Sequence, residues 1–164
     1  MLAVREAESW QEWKPIRLEA LADTPIGFGE LHADAAARTD EEWAHRWATQ
    51  NSGPRLLAFA GDALVGMAGG FVHEDGRRIL FGVYVRPGAR GTGVLDALVG
   101  RVRAWAAPHD LHLDVHVDNA PAHAAYLRLG FLETGEVTPG GGIDGRDLLG
   151  MVLPASALHT KSTG

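Results

Sequence analysis

The stretch Ile79 to Trp105, ILFGVYVRPGARGTGVLDALVGRVRAW, restricts the fold more than any other part of the chain. It opens on apolar, β-branched and aromatic residues, the pattern of a buried strand. Pro87 and Gly88 stop that strand. After the turn Arg90-Gly91-Thr92-Gly93, the residues Val94, Ala97, Leu98, Val102 and Trp105 recur at helical spacing. Strand, glycine turn and helix therefore follow one another directly.

Backbone amides at a helix start have no intrahelical partner, and the helix dipole favours negative charge there. Glycine removes the Cβ that would hold an anion away, so a phosphate can rest on the main chain. Arg90 adds a cationic fork suited to phosphate oxygens. A glycine turn with a solvated arginine is the plain alternative, and a lone Gly-x-Gly does not decide between the two. Two familiar phosphate sites are excluded. The P-loop pattern ends in Gly-Lys, a pair the chain lacks, and the dinucleotide fingerprint needs a third glycine where Asp96 stands.

The rest of the chain reads in order. Leu2 to Ala7 alternates apolar and polar residues as a first strand. Ser9 and Glu12 form a capping box ahead of a helix that offers Trp10, Trp13, Ile16, Leu18 and Leu21 for burial. Pro15 inside it predicts a kink or a division. Asp23 to Gly29 reads as a loop carrying an exposed aromatic, Phe28. Thr39 and Glu42 cap a second helix running to Gln50, where Trp43 and Trp47 share a face, either as core or as the wall of a pocket. Arg55 to Ala60, Ala63 to His73 and the strand ending at Val85 are joined by the short turns Gly61-Asp62 and Glu74-Asp75-Gly76, an antiparallel meander. Leu111 to Val117 is a strand and Asn119 to Gly130 a helix ended by its glycine. Phe131 to Val137 and Arg146 to Pro154 are closing strands around the loop Pro139 to Gly145. One domain over residues 1–154 and a disordered tail over 155–164 are expected.

Composition narrows the class of protein. A chain of 164 residues buries roughly 70% of its unfolded surface as one domain. It has no cysteine, which excludes disulfides, thiol nucleophiles and cysteine–metal sites. No apolar run approaches the ~20 residues of a membrane span, and Arg5, Glu6 and Glu8 are unlike a signal peptide. A soluble cytoplasmic protein without a membrane partner is expected. The formal charge of −6 argues against nucleic acid as a partner and is compatible with an amine substrate. His112, Asp114 and His116 project from one strand face and are chemically able to ligate zinc. Alternation on a half-exposed strand explains them as well, and no metal is assigned.

VYVRPGARGTGVLDALV resembles the acyl-CoA-binding motif of the GNAT superfamily of N-acetyltransferases, Arg/Gln-x-x-Gly-x-Gly/Ala. Arg90 and Gly93 match its first and fourth positions. The sixth falls on Leu95, where a branched side chain either crowds a pyrophosphate or turns into the core. VHVDNAPAHAAYLRLGF resembles the second recognisable segment of that family, with Asn119, Tyr126, Gly130 and Phe131 in the matching places. At about 3.6 residues per turn, Asn119, Ala122, His123 and Tyr126 share one helix face. The element order read above is the one this fold implies: α/β (α+β), with a mixed, mostly antiparallel sheet flanked by helices.

The resemblance implies transfer of an acetyl group from acetyl-CoA to a primary amine of a small molecule, an amino acid or a peptide N-terminus. Arg90 and the backbone of Gly91, Thr92, Gly93, Val94 and Leu95 would hold the pyrophosphate. Main-chain groups of Val83, Tyr84 and Val85 would pair with the pantetheine arm, bordered by Asn119 and Ala122, and amides near Val83 would polarise the thioester carbonyl. Tyr126 is the implied general acid, since a phenol of pKa about 10 can protonate a thiolate of pKa about 8.5. Many relatives carry a glutamate base where Ile79 stands; His73, Glu74, Asp75, His123 or a chain of waters are the substitutes. Acceptor-side candidates are Phe28, Trp43, His73 and His123, with the loops Pro25 to Phe28 and Pro139 to Gly145. Pairing through the last strands in many relatives makes Leu148 to Leu153 a candidate homodimer edge. Transfer of a longer acyl group, a non-catalytic acyl-CoA sensor, and a structural protein that has lost the cofactor are the alternatives.

Overall fold

Alternating strands and helices build one sheet with a helical layer on each face. The computed structural model describes residues 1–155; residues 156–164, most of the tail expected to be disordered, lie outside the described residues. The chain begins with β1 (Leu2–Glu6) and α1 (Trp10–Asp23), crosses a 3-10 turn at Pro25–Gly27, and adds α2 (His32–Ala37) and α3 (Asp40–Thr49). β2 (Arg55–Ala60), β3 (Ala63–Val72) and β4 (Arg78–Val85) follow. A second 3-10 turn at Pro87–Ala89 leads to α4 (Val94–Ala106), β5 (Leu111–His116), α5 (Ala120–Arg128), β6 (Leu132–Thr138) and β7 (Leu148–Leu153). Among the described residues, seven strands form a sheet in the order β1-β2-β3-β4-β5-β7-β6. The β4–β5 pair is parallel and the other neighbours are antiparallel, so the mixed, mostly antiparallel sheet expected from the sequence is present.

Strand periodicity divides the core into two layers. Leu56, Leu80, Leu113 and Met151 pack under α4 with Val94, Leu98, Val102 and Phe131. Leu57, Met67 and Tyr84 point to the opposite face and pack with Trp13, Ile16 and Leu21 of α1 and Trp43 of α3. No helix among the described residues is long and apolar enough to cross a membrane.

Three expectations are corrected. Pro15 does not divide α1, which runs unbroken from Trp10 to Asp23. The carbonyl left without a donor belongs to Gln11, an exposed residue that water can serve. Ser9 meanwhile caps the helix by accepting from the Glu12 amide, and Trp13, Ile16, Ala20 and Leu21 anchor the other face. Secondly, α2 occupies a segment to which no element was assigned. Its sequence HADAAA favours helix by composition but buries only Ala35, so it shows no apolar period. Thirdly, β7 lies between β5 and β6, which leaves Leu148 to Leu153 no free edge for a partner. The outer strand is β6, and every residue in it is exposed.

Candidate functional site

β4 delivers the chain into the glycine turn. Gly91 and Gly93 adopt left-handed backbone, with φ of +78° and +91°, and Gly93 caps α4. A side chain there would cost about 1–2 kcal/mol. It would also stand in open space, since nothing lies within 4 Å of either missing Cβ. Among the described residues, no backbone carbonyl accepts from the amides of residues 91 to 96. The start of α4 thus offers free N–H groups and the positive end of its dipole. Thr92 Oγ1 donates to the Ala89 carbonyl and ties the turn together. Val94 is buried, and Leu95 packs half-buried against the core, so Leu95 turns inward. Arg90 is folded back: Nε donates to the Val85 carbonyl and Nη2 to Asp23 Oδ2, both at 2.9 Å. The Thr24 hydroxyl and then Arg90 hold the Asp23 carboxyl below its usual range. Beside the turn an open groove of about 650 Å³ runs past Glu19, Leu64, Arg86, Gly88 and Thr92.

A cleft begins where β4 and β5 part. Only Arg78 with Leu111 and Ile79 with His112 are paired, and the strands then separate. β4 also bulges, because its pairing with β3 jumps from Met67–Tyr84 to Gly69–Phe81. Gly82 supplies the turn of that bulge at φ +63°. Val83 and Val85 are half-buried on the α4 face. Tyr84 points the other way: its hydroxyl donates to Glu19 Oε2 at 3.0 Å, and burial, with Glu19 adding to it, pushes its pKa up to about 12. Its phenol is therefore committed to α1, and only its main chain borders the cleft.

The second segment reaches the same region from β5. Asn119 Oδ1 accepts from the Ala122 amide at 3.4 Å and caps α5. Ala122 and Tyr126 pack partly into the core on one helix face, and the Tyr126 ring meets Phe131 edge-on at 5.5 Å. Burial pushes the Tyr126 phenol above its ordinary pKa, which keeps it protonated. His123 is bound at Nε2 to Glu133 Oε1 of β6, 2.7 Å away. His73 lies in the exposed β3–β4 turn, where its Nδ1 accepts from the Asp75 amide at 3.3 Å. His123 shares the Tyr126 face, whereas His73 stands at the far end of β4.

Phe28 is not the exposed aromatic expected, and Trp43 takes the core role rather than that of a pocket wall. They are 7% and 5% exposed and form part of the α1 layer. Each carries a guanidinium instead: Arg17 is 5.0 Å from the Phe28 ring centre, and Arg38 is 4.8 Å from that of Trp43. Both arginines share Glu30. Arg17 Nε and Nη2 donate to Oε1 at 3.1 Å, and Arg38 Nη2 donates to Oε2 at 2.7 Å. Burial works to raise the Glu30 pKa, but Arg38 and Arg17 outweigh it and hold it below the usual range. The sequence reading missed this trio, since residues 17, 30 and 38 follow no motif and meet only through the turn at Pro25–Gly27. That turn also approaches α5, because a Cβ on Gly27 would lie 3.8 Å from Asn119 Nδ2.

His112, Asp114 and His116 do not form a ligand set, since Asp114 is exposed and His116 is buried. His116 instead pairs through Nε2 with Asp144 at 2.7 Å and accepts at Nδ1 from the Asp118 amide at 3.0 Å. Donor atoms of His116, Asp118 and Asp144 lie within 4.8 Å of one another, but Arg146 already takes Asp118 at 3.2 Å. With both ring nitrogens used, the cluster clamps the glycine-rich loop onto β5.

The family profile described as Acetyltransferase (GNAT) family matches residues 10–131. Over 61 residues the chain is 41% identical to an aminoglycoside N(6')-acetyltransferase type 1 of Acinetobacter genomosp. 13, covering 35% of this chain and 42% of that one. A protein of the same name from Stenotrophomonas maltophilia is 43% identical over 61 residues, covering 35% and 40%. The chain thus spans less than half the length of these curated relatives. Among solved structures, yncA of Salmonella typhimurium with its cofactor acetyl-CoA superposes with a TM-score of 0.73 at 23% identity, covering 94% of each chain. A ribosomal-protein-alanine N-acetyltransferase from Brucella melitensis superposes at 0.68 with 26% identity, covering 92% of this chain and 98% of that one. The low-identity superpositions speak for the fold, and the profile, spanning most of the chain and both motif segments, speaks for descent: the chain belongs to the GNAT family of acetyltransferases.

Proposed function

We propose that the chain transfers an acetyl group from acetyl-CoA to a primary amine of a small molecule, an amino acid or a peptide N-terminus. The observation that carries this reading is that two arrangements pack against one core on the α4 face of the sheet. An anion cradle with unspent amides and Arg90 opens at one end, and the protonated phenol of Tyr126 stands on the facing helix. The turn suits a pyrophosphate because its missing Cβ positions are open. In this reading Arg90 exchanges Asp23 for phosphate oxygens, and the main chain of Val83 to Val85 aligns the pantetheine arm along the unpaired side of β4. Bound acetyl-CoA supplies the activated acyl group as a thioester. The main chain released at the Gly82 bulge, the Val83 amide included, would polarise the thioester carbonyl and stabilise the charge that grows there as the amine attacks. The carbon–sulfur bond then breaks, and the Tyr126 hydroxyl protonates the departing thiolate. An acceptor that arrives as the free amine sheds its proton to water, so Ile79 in place of a carboxylate is no obstacle.

A homodimer belongs to the same proposal. It is supported by β6, an edge strand exposed along its whole length, with Leu132 56% and Val137 48% exposed. Calorimetric titration of acetyl-CoA tests the function first. Micromolar binding that weakens at least about tenfold in Arg90→Ala supports it, and no detectable binding overturns it.

A further inference from the structure

Two buried donors in the α1 layer have no acceptor. Arg17 Nη1 and Trp43 Nε1 are both closed from solvent and without a hydrogen-bond partner among the described residues. Arg17 spends its other two nitrogens on Glu30, which Arg38 also engages. Two guanidiniums therefore share one carboxylate, a local positive excess in a chain of net charge −6. Burial holds the Arg17 pKa down while Glu30 opposes it, and Arg46 and Arg38 push in the same direction as burial. A buried guanidinium N–H without a partner in such surroundings is costly unless an acceptor completes it.

The position of Nη1 says where that acceptor belongs. A Cβ built on Gly82 would lie 3.4 Å from Nη1, so the space that a side chain would fill at the β4 bulge adjoins the buried, unpaired donor. Gly82 precedes Val83, whose amide the proposed function places on the thioester carbonyl. Neighbouring residues on a strand are about 3.8 Å apart. A group held at Arg17 would thus lie beside the same stretch of β4 as the amide proposed to face the thioester carbonyl. Nη1 is a charged donor without an acceptor, so an anionic acceptor such as a carboxylate would complete it.

Resting on the transfer reading above, we propose that the acceptor is an α-amino acid or a similarly compact amino acid, with its carboxylate bound by Arg17 Nη1 beside Gly82. Arg17 is then a specificity-determining residue, pre-aimed by Glu30 and by the Phe28 ring beneath it. Because Nη1 is closed from solvent, the carboxylate reaches it only where a neighbouring side chain gives way. A polycationic acceptor finds the wrong charge at this position.

The test compares L-phenylalanine, L-leucine and L-methionine with their carboxamides, alongside spermidine and an aminoglycoside, as acceptors for the full chain with acetyl-CoA. Carboxamides have the less basic amines, so intrinsic reactivity favours them and a preference for the acid has to come from the protein. The expected result is kcat/KM at least tenfold higher for the acids, expressed mainly in KM. Arg17→Met should abolish that preference and Arg17→Lys keep part of it, with acetyl-CoA affinity confirming that each variant is folded. Equal or faster transfer to the carboxamides, spermidine or the aminoglycoside overturns this inference alone, as does a preference that survives in Arg17→Met. Failure to bind acetyl-CoA overturns the functional reading together with it, as does transfer neither to these amines nor to a short peptide with a free N-terminus.

Discussion

Tyr126→Phe removes a single oxygen, and its consequences divide cleanly between binding, stability and rate. The ring keeps its edge-on contact with Phe131 at 5.5 Å and its place against the core. No protein partner of the hydroxyl is lost among the described residues, so stability should move by less than ~1 kcal/mol. Acetyl-CoA affinity should move by less than about threefold. The rate is different, because a positioned general acid contributes about 10²–10⁴-fold. At ~1.36 kcal/mol per decade this is ~3–5 kcal/mol of barrier. Burial keeps the phenol protonated above its ordinary pKa, so the wild-type kcat profile should show no descending limb from this group below about pH 10. A thiol-trapping assay of released CoA measures kcat without background, because the chain has no cysteine. A folded Tyr126→Phe protein with kcat within threefold of wild type would refute the assignment. Loss of acetyl-CoA affinity in step with rate would refute it too, by making Tyr126 a binding residue.

Other perturbations probe the surroundings. Asp23→Asn frees Arg90 from its intramolecular partner and should tighten acetyl-CoA by about two- to fivefold in calorimetry; weaker binding would show that Asp23 orients Arg90 rather than competes for it. Gly82→Ala forces an L-residue to φ +63° and should lower the urea unfolding free energy by about 1–2 kcal/mol, whereas unchanged stability would mean that the bulge relaxes. The hydrogen bonds from Arg5 and then from the Glu8 amide lower the Glu12 carboxyl from its ordinary 4.5 to about 2. A lowered folded-state pKa makes this stabilisation complete above pH 4.5 and lost as pH falls through about 2. An NMR titration should find Glu12 near that value and Arg5→Gln should return it toward 4.5; a Glu12 that titrates normally in wild type would contradict the bonded geometry.

Local chemistry accounts for what could be read in advance. Ser9 and Thr39 announced α1 and α3 as caps, Gly61 announced the hairpin, and Arg90 to Gly93 announced the turn into α4. Each of these signals lies within a few residues of the structure it causes. Leu95 remained open because its direction depends on how α4 settles on the sheet, and packing turns it inward. Phe28 read as exposed because its neighbours are loop formers, yet Arg17, eleven positions earlier, covers it. The Arg17–Glu30–Arg38 trio and the His116–Asp144 clamp join residues with no common periodicity. Only the closed chain brings them together.

Helix α1 and the 3-10 turn after it join parts of the cleft that the motifs leave apart. Its final residue, Asp23, holds Arg90 of the phosphate turn. Two turns earlier, Arg17 stands against the β4 bulge, and the 3-10 turn that follows α1 lies beside Asn119. An anion that takes Arg90 leaves Asp23 with the Thr24 hydroxyl alone at the end of the same helix that presents Arg17. The two substrate sides therefore share one rigid element, tied into the core by Trp13, Ile16, Ala20 and Leu21. A change that loosens this helix should raise KM for acetyl-CoA and for the acceptor together, whereas Tyr126→Phe should act on kcat alone. In the proposed reaction helix and hydroxyl are thereby separable: one would position both substrates, and the other would move the proton.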